Sequence, residues 1–252
     1  MKKTAIYLCT ILMLLSCTKT EPNNNNNTSS SLFDNSFIAG VWTYYGPGYI
    51  GAPMDWHFVV FFKDGKALDN MPSGGFDKLA ANKYYDDTRN NPLALNIGKY
   101  TFSGTNGQYY LTETSTTPDE LVKTGTNKMT INGKYYSKCV NLDGVKFDGA
   151  YTTYFDPQDP ALQALPIGQR PVITFYSDGS FYDEGIFNTY EFLQSGNSVA
   201  PGTGWYAIKN YSITLSYDDG RTRQEGISIP FGAGVADAKG MMLSRTELTK
   251  FP

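Results

Sequence analysis

The sequence predicts an all-β protein built as two tandem antiparallel up-and-down barrel-like halves. Three observations support this fold class. Short blocks of sequence recur in the same order in both halves, turn-forming residue pairs separate β-like runs, and 15% of the residues are aromatic beside 25 glycines. A composition rich in Tyr, Phe and Gly favours strands and tight turns over helices.

The recurring blocks indicate an internal duplication. Residues 40–45 (GVWTYY) parallel residues 149–154 (GAYTTY), residues 59–65 (VVFFKDG) parallel residues 173–179 (ITFYSDG), and residues 98–102 (GKYTF) parallel residues 204–208 (GWYAI). The spacing between partners drifts by a few residues, as expected if loops alone have changed length. We therefore expect the same series of strands in each half.

Turn signals divide both halves into hairpins. Asp-Gly pairs occur at 64–65, 143–144, 148–149, 178–179 and 219–220, and Asn-Gly pairs at 106–107 and 132–133. Both pairs favour two-residue hairpin turns, because their residues tolerate a positive φ. Residues 211–217 alternate strictly and lead into one of these turns, so Tyr211, Ile213, Leu215 and Tyr217 are predicted to form a core face.

The first block also carries a family resemblance. Gly40-Val41-Trp42, followed by a long loop and then hairpins, resembles the first strand of lipocalin-like barrels, although Tyr151 stands where the second half would have its Trp. The resemblance implies two small closed barrels, which leave no strand edge exposed. We therefore expect a first lipocalin-like β domain at residues 37–143 and a second at residues 144–252.

The N-terminus resembles the signal peptide of a bacterial lipoprotein. Lys2 and Lys3 precede an apolar stretch at residues 5–15, and Leu14, Ser16 and Cys17 occupy the positions of a lipobox. The alternatives are a transmembrane helix, for which the stretch is shorter than the about 20 residues required, and an ordinary cleaved signal. We expect residues 1–16 to be the signal peptide and Cys17 to be lipidated.

The residues after Cys17 indicate a disordered tether and bear on the location of the protein. The segment 17–36 contains five consecutive Asn and several Ser, and its polar part cannot bury apolar area, so we expect disorder. The resemblance to lipoproteins of the Bacteroidetes implies anchoring at the bacterial outer membrane. Lys19 and Glu21 match part of the surface-export signal known in that phylum, which leaves periplasmic and cell-surface display both open.

The charge and the cysteine content argue against a nucleic-acid-binding protein and against a disulfide-bonded one. Removing residues 1–16 leaves 19 basic against 24 acidic residues, a net charge of about −5 that provides no footprint for nucleic acid. With Cys9 removed and Cys17 lipidated, Cys139 is the only remaining thiol, so no intrachain disulfide forms. We expect Cys139 to be a small buried residue and not a nucleophile.

No residue pattern predicts catalysis. His57 is the only histidine, and it is either a general base or a structural residue beside Trp56. One His and one thiol supply neither a hydrolytic triad nor a zinc site. Among carboxylates, Asp55, Asp69 and Asp183-Glu184 are candidates for a glycosidase site, but the two side chains of Asp183-Glu184 point to opposite faces of a strand and cannot act as a pair. We expect no catalytic residues, no metal and no cofactor.

Aromatic and arginine residues supply the candidates for ligand binding. Outward rings stack on sugars or line a barrel mouth, or they cover sheet faces without a ligand. Two arginines near the turn at Asp218-Asp219 either capture an anion or pair with those acids. The candidate binding residues are Trp42, Trp56, His57, Tyr85, Trp205, Arg221 and Arg223.

The sequence thus predicts a lipid-anchored envelope protein with a non-catalytic binding or scaffolding role. Its partners would be the membrane, through the lipid on Cys17, and a small apolar ligand, a glycan or a protein; the oligomeric state is open. The alternatives are a surface glycan-binding lipoprotein of a nutrient-uptake system and a carboxylate-dependent hydrolase. An apolar cavity would favour a carrier, an exposed aromatic platform would favour glycan binding, and a cleft with facing carboxylates would favour the enzyme.

Overall fold

The computed structural model describes residues 32–47, 54–72, 74–76, 97–153, 170–188, 199–229, 239–244 and 246–250. These residues belong to one compact unit, Ser31–Pro252. Their strands close into two eight-stranded antiparallel barrels in tandem. The fold class predicted from the sequence, including its two-repeat organisation, is therefore confirmed.

Barrel 1 contains the first eight strands, each paired with its neighbour in chain order, and it closes where β1 pairs with β8. Its strands are β1 (Gly40–Pro47), β2 (Met54–Phe61), β3 (Lys66–Asp69), β4 (Ile97–Ser103), β5 (Asn106–Tyr110), β6 (Asp119–Gly125), β7 (Lys128–Ile131) and β8 (Lys134–Lys138). The interior is filled at one end by Trp42, Phe61, Leu121 and Met129, all of which are fully buried.

Barrel 2 repeats this order and closes where β9 pairs with β16. Its strands are β9 (Gly149–Thr153), β10 (Ile173–Phe175), β11 (Ser180–Asp183), β12 (Gly202–Lys209), β13 (Ser212–Tyr217), β14 (Thr222–Ser228), β15 (Gly240–Leu243) and β16 (Thr246–Lys250). The predicted core face of residues 211–217 is confirmed for Ile213, Leu215 and Tyr217, which lie in the core of barrel 2, whereas Tyr211 precedes the strand and is buried in a different cluster, with residues of barrel 1. The only helical element in the described residues is a single 3₁₀ turn, Ile186–Asn188.

The duplication extends to individual hydrogen bonds. At the β2–β3 turn, Gly65 N donates to Phe62 O, and at the β10–β11 turn Gly179 N donates to Tyr176 O. Both glycines have a positive φ, 84° and 94°, which the Asp-Gly pairs predicted. The inward rings also correspond, since Phe61 and Tyr100 lie 5.0 Å apart and their equivalents Phe175 and Tyr206 lie 4.9 Å apart.

Part of the outer face of β1–β3 is covered by barrel 2, so these strands are buried on both sides there. Val41, Phe58, Val60, Phe62 and Leu68 belong to a core cluster that also contains Tyr211 and Met242 of barrel 2. This double burial explains the continuous apolar run at residues 58–62, which does not alternate as a half-exposed strand does.

The chain that leaves β3 is inserted into this interface. Phe76 is fully buried in the same cluster, and its backbone N–H donates to Ser212 Oγ of barrel 2 at 2.5 Å. Gly226 has no side chain and lies against Met71, whose Cε would be 2.9 Å from a Cβ at that position. The two barrels therefore share one hydrophobic core in addition to their own.

Candidate functional site

Trp42 and Trp56 serve the packing of the barrels. Trp42 lies inside barrel 1, where its indole N–H donates to Ile38 O at 2.8 Å and Lys138 Nζ lies 5.8 Å from its ring. Trp56 lies on the outer face of β2 and donates its indole N–H to Glu247 Oε2 of barrel 2 at 2.9 Å. Trp42 is thus enclosed, and Trp56 bridges the two barrels.

His57 lies at one end of barrel 1, among side chains that point into the barrel. Its register partner is Tyr44, and the two rings stack with their centroids 5.6 Å apart. Tyr44 also contacts Tyr136, with centroids 5.5 Å apart. His57 Nε2 is buried and has no hydrogen-bond partner in the described part of the chain. We call this end, with Tyr44, His57, Asp69, Asp119, Lys134 and Tyr136, the mouth of barrel 1.

Two carboxylates share the mouth with these rings. Asp69 pairs with Val59 and Asp119 pairs with Tyr109, so both side chains follow the inward-facing register. Burial raises the pKa of Tyr136 above its ordinary value, and the negative charges of Asp69 and Asp119 raise it further. The phenol is therefore neutral at physiological pH, and the mouth is polar and acidic. Lys134 adds one ammonium group, 5.8 Å from the Tyr44 ring.

The equivalent end of barrel 2 is filled by its own polar network. Asp183 accepts hydrogen bonds from Gly185 N and Ile186 N and from the Tyr217 hydroxyl, at 2.7, 2.8 and 2.9 Å. Glu225 forms an ion pair with Arg223 and a hydrogen bond with Ser244. Burial, reinforced by the charge of Asp183, raises the pKa of Tyr217.

The two candidate arginines both lie near Tyr217, where their charges partly offset the rise in its pKa caused by burial, but each is paired with a carboxylate of barrel 2. Arg223 points into barrel 2, where its guanidinium is neutralised by Glu225 and lies 4.1 Å from the Phe187 ring centroid. Arg221 lies at the turn before β14, pairs with Asp219 at 2.7 Å and covers the Tyr217 ring. Arg221 and Asp219 form the cross-turn ion pair that the sequence offered as the alternative to anion capture.

Trp205 belongs to an exposed aromatic face on barrel 2. It lies on the outer face of β12 with 42% of its surface exposed, and Tyr176 and Tyr182 on neighbouring strands are 44% and 41% exposed. Of these three residues, only Trp205 is among the binding residues predicted from the sequence. Tyr176 and Tyr182 could have been predicted as exposed from two dipeptides, Phe175-Tyr176 and Phe181-Tyr182. In each dipeptide one ring must point inward and the next outward. We call Tyr176, Tyr182 and Trp205 the aromatic face.

The remaining predicted residues are placed as follows. Cys139 is buried between the barrels, and burial raises its pKa to about 12, so the thiol is protonated at neutral pH. Cys17 and Tyr85 lie outside the described residues.

Within the described ranges, no group of three or more His, Cys, Asp or Glu is arranged to hold a metal ion. Among those same residues, no helix has the length and hydropathy needed to cross a bilayer.

The fold and these surfaces define a class: a tandem pair of eight-stranded antiparallel barrels, with an acidic, ring-lined mouth on the first and an aromatic face on the second. Comparison with known proteins identifies no relative of the chain. No protein-family model matches the chain, and neither the curated proteins nor the solved structures contain a significant match.

Proposed function

We propose that this protein is a lipid-anchored component of a bacterial envelope with a non-catalytic binding role, and that its ligand is a glycan held on the aromatic face of barrel 2. The observation that carries the proposal is the side-by-side exposure of Tyr176, Tyr182 and Trp205 on one sheet. Exposed rings of this kind stack on the apolar faces of sugar rings, while their polar tips remain in water.

The strand register sets the spacing of the rings. Ser180 pairs with Trp205 on one side and accepts the backbone N–H of Tyr176 on the other. Tyr176 and Trp205 therefore flank β11 and lie about two strand spacings, or roughly 10 Å, apart. Tyr182 lies two residues further along the same face of β11. A chain of sugar rings, more than a single ring, would contact all three.

Polar groups lie between the rings. Thr203 pairs with Tyr182 across the strands, and its hydroxyl donates to Asp218 Oδ2 at 2.7 Å. Ser180 Oγ donates to Asp178 Oδ1 at 2.6 Å. Hydroxyl and carboxylate oxygens of this kind complement the hydroxyl groups of a sugar. The face thus combines apolar stacking surface with hydrogen-bonding groups between the rings.

The geometry favours binding over hydrolysis. A glycosidase places two carboxyl groups on either side of a substrate bond. Asp69 and Asp119 project instead into a closed barrel, on the opposite half of the molecule from the aromatic face. In barrel 2, Asp183 is fully buried and saturated by three donors, whereas Glu184 is exposed. A small apolar ligand is disfavoured as well, since desolvating these charged groups beside it would be costly.

Glycan binding is tested with the full chain purified in detergent. A glycan array identifies a ligand, and titration calorimetry compares variants. We expect Trp205→Ala and Tyr182→Ala to weaken binding by roughly five- to tenfold each, the equivalent of about 1 kcal/mol for a stacked ring. Tyr135→Ala is the matched control, because Tyr135 is 73% exposed on barrel 1. An array without hits, or equal losses in the control, would refute glycan binding at this face.

The lipid anchor is tested separately in a bacterial host that processes lipoproteins. We expect Cys17→Ala to abolish incorporation of labelled fatty acid and to block signal removal, because the cysteine sulfur is the attachment point of the lipid. Cys139→Ala serves as the control and should keep full labelling, since Cys139 is buried. Labelling that persists in the Cys17 variant would rule out the anchor.

A further inference from the structure

We propose that Asn132, in the turn between β7 and β8, is a site of spontaneous covalent modification, in which its side-chain amide is converted through a cyclic imide with Gly133 to aspartate and isoaspartate. The site lies on barrel 1 and is independent of the proposed glycan binding. The inference rests on the exposure of this turn, on the backbone N–H of Gly133 and on a contrast with other Asn-Gly and Asp-Gly pairs of the chain.

The reaction is an intramolecular attack between two adjacent residues. The backbone nitrogen of Gly133 loses its proton to a base and bonds to Cγ of Asn132, and the side-chain nitrogen leaves as ammonia. Water then opens the cyclic imide. Cleavage of the new bond to Cγ restores the main chain and leaves an aspartate, whereas cleavage of the original peptide bond leaves the chain running through Cγ, as isoaspartate. Water is the only co-reactant.

The turn exposes the reacting groups. Asn132 and Gly133 are both exposed, and they are the central residues of the hairpin in which Ile131 pairs with Lys134. Their φ angles, 48° and 78°, are both positive, as a two-residue turn of this kind requires. A Cβ added to Gly133 would have no atom within 4 Å. A base and the side-chain amide therefore reach the glycine nitrogen without obstruction.

The N–H of Gly133 is available to a base. In the described part of the chain it donates no hydrogen bond, and the side-chain amide of Asn132 has no partner there either. The backbone N–H of Asn132 donates to Glu120 O at 2.9 Å, which holds the turn in place. An amide proton that is in a hydrogen bond is removed only after that bond opens. No such opening is needed at Gly133.

Several Asp-Gly pairs use their glycine N–H in the fold. In four of them it donates to a backbone carbonyl oxygen, at distances between 2.9 and 3.2 Å; these glycines are Gly65, Gly144, Gly179 and Gly220. An ionised Asp carboxylate is also a poorer target than the Asn amide, because its negative charge repels the attacking nitrogen. These turns should therefore be far less reactive than Asn132-Gly133.

The second Asn-Gly pair is protected by the sheet. Asn106 begins β5 and Gly107 lies within it, with paired strands β4 and β6 on its two sides. A residue between two neighbouring strands gives its N–H to one of their ladders. A Cβ added to Gly107 would also lie 2.2 Å from Thr101 O, so the surroundings are crowded. The same dipeptide is thus reactive at Asn132 and protected at Asn106.

Isoaspartate would loosen the closure of barrel 1. It adds a methylene group to the main chain of a two-residue turn, so Ile131 and Lys134 can no longer keep their pairing. β8, which follows this turn, is the strand that closes barrel 1 against β1. The modification therefore acts next to the seam of the barrel.

The site is tested by peptide mapping with mass spectrometry of the full chain, incubated in detergent at mildly alkaline pH. We expect Asn132 to be converted at least about tenfold faster than Asn106, because Gly107 must first leave its ladder. In concentrated urea the two rates should converge, since both residues precede a glycine. Equal rates in the native chain, or no conversion at Asn132, would overturn the proposal.

Asn132→Gly is the matched control, because glycine adopts the same positive φ but offers no amide for the attack. After incubation, amide hydrogen exchange should accelerate in β7 and β8 of the unsubstituted chain and stay unchanged in this variant. Freshly prepared Asn132→Asp carries the new charge without the isoaspartate linkage and should exchange like the fresh unsubstituted chain. Equal acceleration in the incubated glycine variant would refute isoaspartate as the cause.

Discussion

At the residue scale, the duplication is visible at two equivalent glycines, one on β4 and one on β12. Gly98 on β4 and Gly204 on β12 each point into their barrel, directly against the next strand. A Cβ added to Gly98 would lie 1.9 Å from Tyr110 O, and one added to Gly204 would lie 2.1 Å from Ser216 O. Both obstacles are backbone atoms, so the strands approach more closely there than any side chain allows.

This close approach predicts that Gly98→Ala destabilises the protein. We expect a loss of about 1–3 kcal/mol in the free energy of unfolding, because the neighbouring strand must move to admit the methyl group. Gly125→Ala is the matched control in the same barrel, since its Cβ would meet only Lys128 side-chain atoms at ordinary contact distance, 3.5 Å or more. Urea titrations of both variants measure the difference. A Gly98 variant as stable as the Gly125 variant would contradict the close packing of β4 on β5.

At the scale of strands and hairpins, local patterns predict most of the fold. The Asp-Gly turn at 64–65 and its counterpart at 178–179 specify equivalent hairpins, because the glycine adopts the positive φ that the turn requires. The alternation in residues 211–217 predicts the face of β13 that is buried. These signals are local, and equivalent signals give equivalent hairpins in both halves.

The surfaces that we propose for binding are harder to predict, for a physical reason. Alternation along β14 places Arg223 and Glu225 on one inward face, where they pair, but the groups that surround Asp119 include side chains brought from other strands. The aromatic face likewise combines residues of β11 and β12 with the end of β10. Strand alternation gives the direction of each ring, but the register between strands decides which rings are neighbours.

At the scale of the whole molecule, the sequence predicts the contact between the barrels only in part. The unbroken apolar run at residues 58–62 indicates a strand buried on both sides, yet nothing local specifies what covers its outer face. The structure shows that barrel 2 and the segment after β3 do so together. The duplicated barrels are thus joined by a core that neither barrel contains alone.

This shared core predicts that a substitution in the segment after β3 weakens barrel 2 as well. Phe76 is fully buried between the barrels and packs edge-on against Phe62. We expect Phe76→Ala to cost about 3–5 kcal/mol of stability through the lost contacts and the cavity. If the barrels are coupled, amide hydrogen exchange measured by mass spectrometry should accelerate in β13 and β14, although Phe76 follows a strand of barrel 1.

Phe102→Ala is the comparison that separates coupling from general destabilisation. Phe102 is a half-buried residue of barrel 1 that stacks on Phe37, away from the shared core. Its removal should accelerate exchange in barrel 1 and leave β13 and β14 protected. Because Ser212 Oγ accepts the backbone N–H of Phe76, the start of β13 should respond first in the Phe76 variant. Unchanged protection of β13 and β14 in that variant would mean that the barrels only touch and do not stabilise each other.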